Sequence, residues 1–213
     1  MSQMLGPIHH WLYNQIKTVE DREVKVVKAF TEKYGVEVKE LANDIRGEYG
    51  ELKDDSALED LIVNSHIHPW LEGAIDTAQT REAVIVKELM DKYNDQNLLQ
   101  EIYQQHGAYL AKQSGEDITN NDLKTAFEAL QNTLVERMPC DRLSQVIQDD
   151  SNKIVWRHNS RLHTEFWQKV DVSIELMHQL YADWIKGFMR TINPQIQHER
   201  KITNDYYEDI FTL

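Results

Sequence analysis

Apolar residues in the first half of the chain fall in steps of three and four. In residues 8–34, IHHWLYNQIKTVEDREVKVVKAFTEKY, they are Leu12, Ile16, Val19, Val26 and Phe30. In residues 67–93, IHPWLEGAIDTAQTREAVIVKELMDKY, they are Leu71, Ile75, Ala78, Ile85 and Leu89. This spacing traces one face of a long α-helix in each segment. Pro69 suits a first turn, and Gly35 and Asn94 suit helix ends. Second helices are predicted near 37–49 and 96–113. Third helices are predicted near 56–64 and 121–137, the last opened by the cap in TNNDL.

The two long segments also align with each other without a gap. Twelve of their twenty-seven positions are identical, where composition alone gives roughly two. The shared residues include His9/His68, Trp11/Trp70, Arg22/Arg81, Glu23/Glu82 and Tyr34/Tyr93. Residues 8–65 and 67–138 therefore read as two copies of a three-helix unit, packed about a pseudo-twofold axis because neither buries its apolar face alone. Residues 139–213 read as an extension of different grain. MPCDRLSQVIQDDSN is a connecting segment with one helical turn, and KIVWRHN is either a short strand or a helix start. Residues 161–192 form one long amphipathic helix with Phe166, Val170, Ile174, Met177, Tyr181 and Phe188 on its seam. After Pro194, alternation around TND predicts a small β-hairpin. The expected architecture over 1–213 is a mainly α, single-domain helical bundle of two pseudo-symmetric repeats, a long C-terminal helix and a terminal hairpin.

One feature breaks the apolar stripe. Glu23 and Glu82 occupy equivalent positions inside it, and a buried carboxylate must be paired, hydrogen-bonded, protonated or metal-bound. Arg22 and Arg81 recur beside them but point about 100° away on their own helices, so each arginine could bridge to the glutamate of the other copy. The alternatives are a simple exposed position, or a polar lining for a small ligand or metal ion. In that reading Glu23 and Glu82 meet near the axis, and His106, Glu175 and His178 reach in from other helices. Glu175 and His178 form a Glu-x-x-His pair on one helix face, half of the arrangement used by di-metal carboxylate bundles. Such donors suit iron, manganese or zinc. His9 and His68, each two residues ahead of a tryptophan, read as ring packing and helix-end capping. Cys140 is a candidate nucleophile with His158 or His163 as its base, or else a small buried hydrophobe.

Composition narrows the partners. The chain has 213 residues, few glycines and prolines, and a net charge of -13. That field repels phosphate backbones and anionic lipid, so nucleic acid and membrane surfaces are not expected partners. The longest apolar run is too short to span a bilayer, and no secretory signal pattern is seen. A single cysteine fits a reducing, cytoplasmic setting.

The second half, from EIYQQHGAYLAKQ to the end, resembles bacterial proteins similar to L-2-amino-thiazoline-4-carboxylic acid hydrolase. The resemblance rests on that tyrosine- and glycine-containing helix, on Pro139–Cys140, on GFMRTINP, and on HERKITNDYYEDIF. It implies a cytoplasmic helical protein acting on a small thiazoline- or amide-like substrate. Tyr206 and Tyr207 stand where those proteins usually carry cysteine. Three functional readings follow: a small-ligand or metal-binding bundle, a small-molecule hydrolase using Cys140, and a structural or partner-binding protein whose buried charges are salt bridges.

Overall fold

The structure, a computed structural model, describes residues 5–62, 66–114 and 122–213. Helix α1 (Pro7–Tyr34) is followed by α2 (Glu37–Tyr49), α3 (Leu58–Leu61), α4 (Ile67–Tyr93), α5 (Gln96–Ser114) and α6 (Leu123–Thr133). A 3-10 turn at Pro139–Asp141 leads into strands β1 (Ser144–Asp150) and β2 (Lys153–Asn159). Helices α7 (Arg161–Lys169) and α8 (Ile174–Ile192) precede β3 (Gln197–Ile202) and β4 (Tyr206–Thr212). The protein is mainly helical with a small antiparallel sheet in its C-terminal part, in strand order β1-β2-β4-β3. No helix among the described residues is long and apolar enough to cross a membrane.

Local chemistry sets the boundaries. Pro7 opens α1, and Gly35 ends it at φ 105° with its N–H on the Thr31 carbonyl. Asn94 ends α4 in the left-handed region, its N–H on Met90. Asp122 caps α6 by accepting from the Thr125 N–H at 2.8 Å; the Thr119–Asn121 part of the expected cap lies outside the described residues. The helix expected near 56–64 spans only Leu58–Leu61, and 63–65 again lie outside the described residues.

Two C-terminal expectations are corrected. The single helix over 161–192 is two helices. Asp171 takes φ 57°, and Ser173 caps α8 by accepting from the Leu176 N–H at 3.2 Å. Side-chain capping of this kind gives the backbone an alternative to continuing a helix. The connecting segment after Cys140 contains its helical turn, but Ser144–Asp150 is an edge strand. Its mostly exposed residues give no one-sided apolar alternation to betray it. The terminal hairpin, β3 with β4, therefore belongs to a four-stranded sheet joined through β2 and β4.

Buried apolar side chains form one contiguous cluster from Leu12 in α1 to Phe211 in β4. Its tightest seam joins α5 to α8. A Cβ on Gly107 would lie 2.1 Å from the Trp184 carbonyl oxygen, and one on Gly187 would lie 2.1 Å from that of Gln104. Backbone against backbone leaves neither side free to yield. Gly107→Ala and Gly187→Ala are expected to destabilise the fold by about 1–3 kcal/mol or more in urea unfolding. Gly73→Ala, on an open face of α4 with nothing within 4 Å, should instead stabilise by about 0.5–1 kcal/mol. Equal effects at all three positions would contradict the close seam.

Candidate functional site

The buried glutamates are answered by arginines of the opposite long helix. Arg22 on α1 grips Glu82 on α4 through Nε at 2.5 Å and Nη2 at 3.0 Å. The Glu82 carboxylate also accepts from the hydroxyls of Tyr103 at 2.9 Å and Tyr181 at 3.0 Å. Reciprocally, Arg81 on α4 donates to Glu23 at 2.6 Å and to Glu20 at 3.0 Å. Arg46 closes the Glu23 side at 2.9 Å, and the Gly50 carbonyl accepts from Arg81 at 2.6 Å. Arg22, Arg81, Glu20, Glu23 and Glu82 are all buried. Glu23 and Glu82 thus each sit in their own guanidinium cradle. Each cradle balances: Arg22 against Glu82, and Arg46 with Arg81 against Glu20 with Glu23.

The other sites expected from sequence are dispersed. His106 accepts the Trp184 indole N–H at Nδ1 at 2.8 Å, so its proton is on Nε2, which donates to the Asp21 carboxylate at 3.1 Å. Glu175 is exposed at the start of α8, bonded by Ser173, whereas His178 is buried against Trp167 and Tyr207. The Glu-x-x-His pair therefore does not converge. Among the described residues no group of three or more His, Cys, Asp or Glu side chains is placed to hold one metal ion. Cys140 is exposed, with its thiol 3.9 Å from Asp141 Oδ1. His158 and His163 are buried and engaged elsewhere.

What the fold does assemble is a polar row on the helix-facing side of the sheet. Alternation along β4 buries Tyr207, Asp209 and Phe211. Register places Arg200 of β3 directly opposite Asp209 and His158 of β2 opposite Tyr207. Arg200 grips Asp209 with a two-pronged contact at 2.8 and 2.9 Å, and His198 Nε2 lies 2.7 Å from the same carboxylate. His158 stacks on Tyr207 with centroids 4.5 Å apart. Its two ring nitrogens each lie 3.2 Å from a carboxylate oxygen, Glu136 on one side and Asp209 on the other. Neither contact is aligned as a full hydrogen bond. Glu136 continues the row outward, where its other oxygen accepts from the Ser144 hydroxyl at 2.6 Å. There it borders a cleft of about 200 Å³ with Arg137, Arg142, Leu143, Ser144 and Leu162.

Environment separates the charge states of this row. Burial alone would push the Asp209 carboxyl up; Arg200 and then His158 and His198 outweigh it and hold it well below the carboxylate range. Burial would lower the His158 imidazole, but Asp209 and Glu136 reverse the sign and raise it. His163 and His178 go the other way. Burial, followed by the positive charge of Arg200, drives His163 well below its usual value and His178 down to about 3. His163 Nδ1 lies 2.7 Å from the Gln79 side-chain oxygen. Gln79 aligns with Glu20 when residues 67–93 are laid on 8–34, and a carboxylate there would favour the charged imidazole.

Glu136, Asp209, Arg200 and His198 were not singled out by sequence reasoning. A signal for Asp209 existed: it is a carboxylate at an inward position of an alternating strand, the anomaly already noted for Glu23. No family model matches the chain, and no curated protein matches it.

Removing one member of a buried pair leaves the other charge uncompensated, so Glu82→Gln should cost about 3–5 kcal/mol in denaturant unfolding. The paired replacement Arg22→Met with Glu82→Leu should cost markedly less; a double variant as unstable as the single would contradict the pairing. Acid should also weaken the fold. His163 and His178 are neutral when folded but charge when unfolded below their ordinary value of 6.5. Stability is therefore lost as pH falls below about 6.5, in the case of His178 down to about 3, by about 1.4 kcal/mol per unit per histidine. The raised His158 contributes no slope there, because its stabilisation is complete below 6.5 and declines only as pH rises. His178→Gln should flatten the acid slope of the urea midpoint, and an unchanged slope would count against a neutral His178.

Proposed function

We propose that the protein binds a small polar molecule in the cleft beside β1 and the start of α7, with Glu136 as the carboxylate that meets it. The observation that carries this reading is the double position of Glu136. It edges the cleft of about 200 Å³ while touching His158, which in turn reaches the fully buried Asp209. A carboxylate backed by an imidazole and a second carboxylate is held in place from behind. Arg137 and Arg142 add positive charge at the rim. The cleft is smaller than the usual 300–1,000 Å³ of drug-sized pockets, which favours a ligand no larger than an amino acid. The carboxylate and imidazole lining expected from sequence is thus assigned to Glu136, His158 and Asp209, and Glu23 and Glu82 are assigned to the fold.

Hydrolysis of an amide- or thiazoline-like compound is the catalytic form of this reading. Glu136 would then serve as the proton acceptor for an attacking water, because no imidazole contact to Cys140 is seen among the described residues. We also read residues 8–65 and 67–138 as two copies of one unit, supported by their sequence identity and by the exchanged arginine–glutamate pairs.

Ligand-observed NMR with a panel of small amino acids, amides and 2-amino-thiazoline carboxylates tests the site. At least one member should bind wild type, and Glu136→Gln should weaken it tenfold or more while circular dichroism stays unchanged. Arg142→Ala should weaken anionic members selectively. Binding that ignores Glu136→Gln, or no binding across the panel, would refute the assignment.

A further inference from the structure

We propose that His9 and His68 form a two-imidazole site for a divalent transition-metal ion, bridging the paired starts of α1 and α4. The two residues occupy the same position of the repeated segment. Their Nε2 atoms lie 3.2 Å apart, with ring centroids separated by 5.3 Å. A metal with nitrogen ligands at 2.0–2.1 Å sets two of them about 2.9 Å apart at a right angle and about 3.3–3.4 Å apart at the tetrahedral angle. The observed separation falls between these limits, so both rings can ligate one ion with little movement. His68 is exposed and His9 is half-buried, which leaves room for solvent to complete the shell.

The surroundings narrow the choice of ion. Both histidines lie in the first turn of their helices, where the partial positive charge of the helix end opposes a cation. Simple charge attraction therefore does not hold the ion; coordinate bonds to imidazole must. That favours Cu²⁺, Ni²⁺ and Zn²⁺ over Mg²⁺ and Ca²⁺, which prefer oxygen donors. In the metal-free arrangement His9 Nδ1 accepts from the Gly6 N–H at 3.0 Å. The His9 proton is accordingly on Nε2 and is shared with His68. Ligation through Nε2 moves that proton to Nδ1 and releases the Gly6 contact. Binding thus exchanges the imidazole–imidazole hydrogen bond and the Gly6 contact for two metal–nitrogen bonds.

The site is independent of the cleft at Glu136, lying between the starts of the two long helices. An ion there staples α1 to α4 and raises the temperature at which they separate. Protein without a histidine tag should be titrated with Cu²⁺, Zn²⁺ and Mg²⁺ against a chromophoric chelator, with thermal melts in parallel. Wild type should bind one Cu²⁺ or Zn²⁺ and melt at higher temperature with Zn²⁺, while Mg²⁺ changes neither. His9→Ala and His68→Ala should each weaken that binding at least tenfold and abolish the melting shift. The double variant should be no weaker than either single one. His68→Ala leaves the Gly6 contact in place and so separates loss of a ligand from loss of that contact. His10→Ala, whose imidazole pairs instead with Glu59, should bind as wild type. Wild-type affinity in both single variants, or loss in His10→Ala alone, would overturn the proposal.

Discussion

Arg22 and Arg81 are two fully buried guanidinium groups, and the helical layer is organised around finding anions for them. Each lies one residue from a glutamate it cannot reach, because neighbours on a helix point about 100° apart. The anion has to come from another helix, and here it comes from the equivalent residue of the opposite long helix. This exchange fixes the register of α1 against α4. A slide by one helical turn, about 5.4 Å, would break both cross-helix pairs and leave Arg22, Arg81 and Glu82 buried without their charge partners. Hydrophobic contact alone tolerates such slips; a buried ion pair does not. Tyr103 on α5 and Tyr181 on α8 complete the Glu82 cradle, so the same carboxylate also places the two helices of the Gly107–Gly187 seam.

The sheet repeats the device with different parts. Asp209 is buried between Arg200, His198 and His158, and alternation in β4 turns it towards the helices. Here, however, the row does not end in the interior. It runs through His158 to Glu136 and so to a cleft open to solvent. The difference between a closed cradle and an open row separates structural carboxylates from a candidate ligand site. Neutral His163 and His178 line the inner side, and their cost in acid is the physical mark of imidazoles held uncharged by burial.

Much of the helical part was legible in the sequence because its signals are local. Periodicity located α1, α2, α4 and α5, and Gly35 and Asn94 marked where two of them stop. The cross-bridging of Arg22 with Glu82 and of Arg81 with Glu23 was one of three readings the pattern left open, since periodicity places a carboxylate on the apolar face but does not show what meets it. Glu20 and Arg46 escaped notice for the same reason: their roles depend on how α2 and the 50–53 segment fold back on α1. The C-terminal part was harder. β1 is an edge strand exposed along most of its length, and the α7–α8 break rests on the backbone of Asp171 and the cap of Ser173. The row from Glu136 to Asp209 unites residues 73 positions apart, and strand register, which creates it, is not written in any one segment.

The exchange of ion pairs makes α1 and α4 a single cooperative unit, which native-state hydrogen exchange reads residue by residue. Amides of residues 22–27 and 81–86 should share one opening free energy, equal to that of global unfolding. Glu23→Gln, a change on α1, should lower protection in both segments by the same amount. Faster exchange confined to α1, with residues 81–86 as protected as before, would contradict the account.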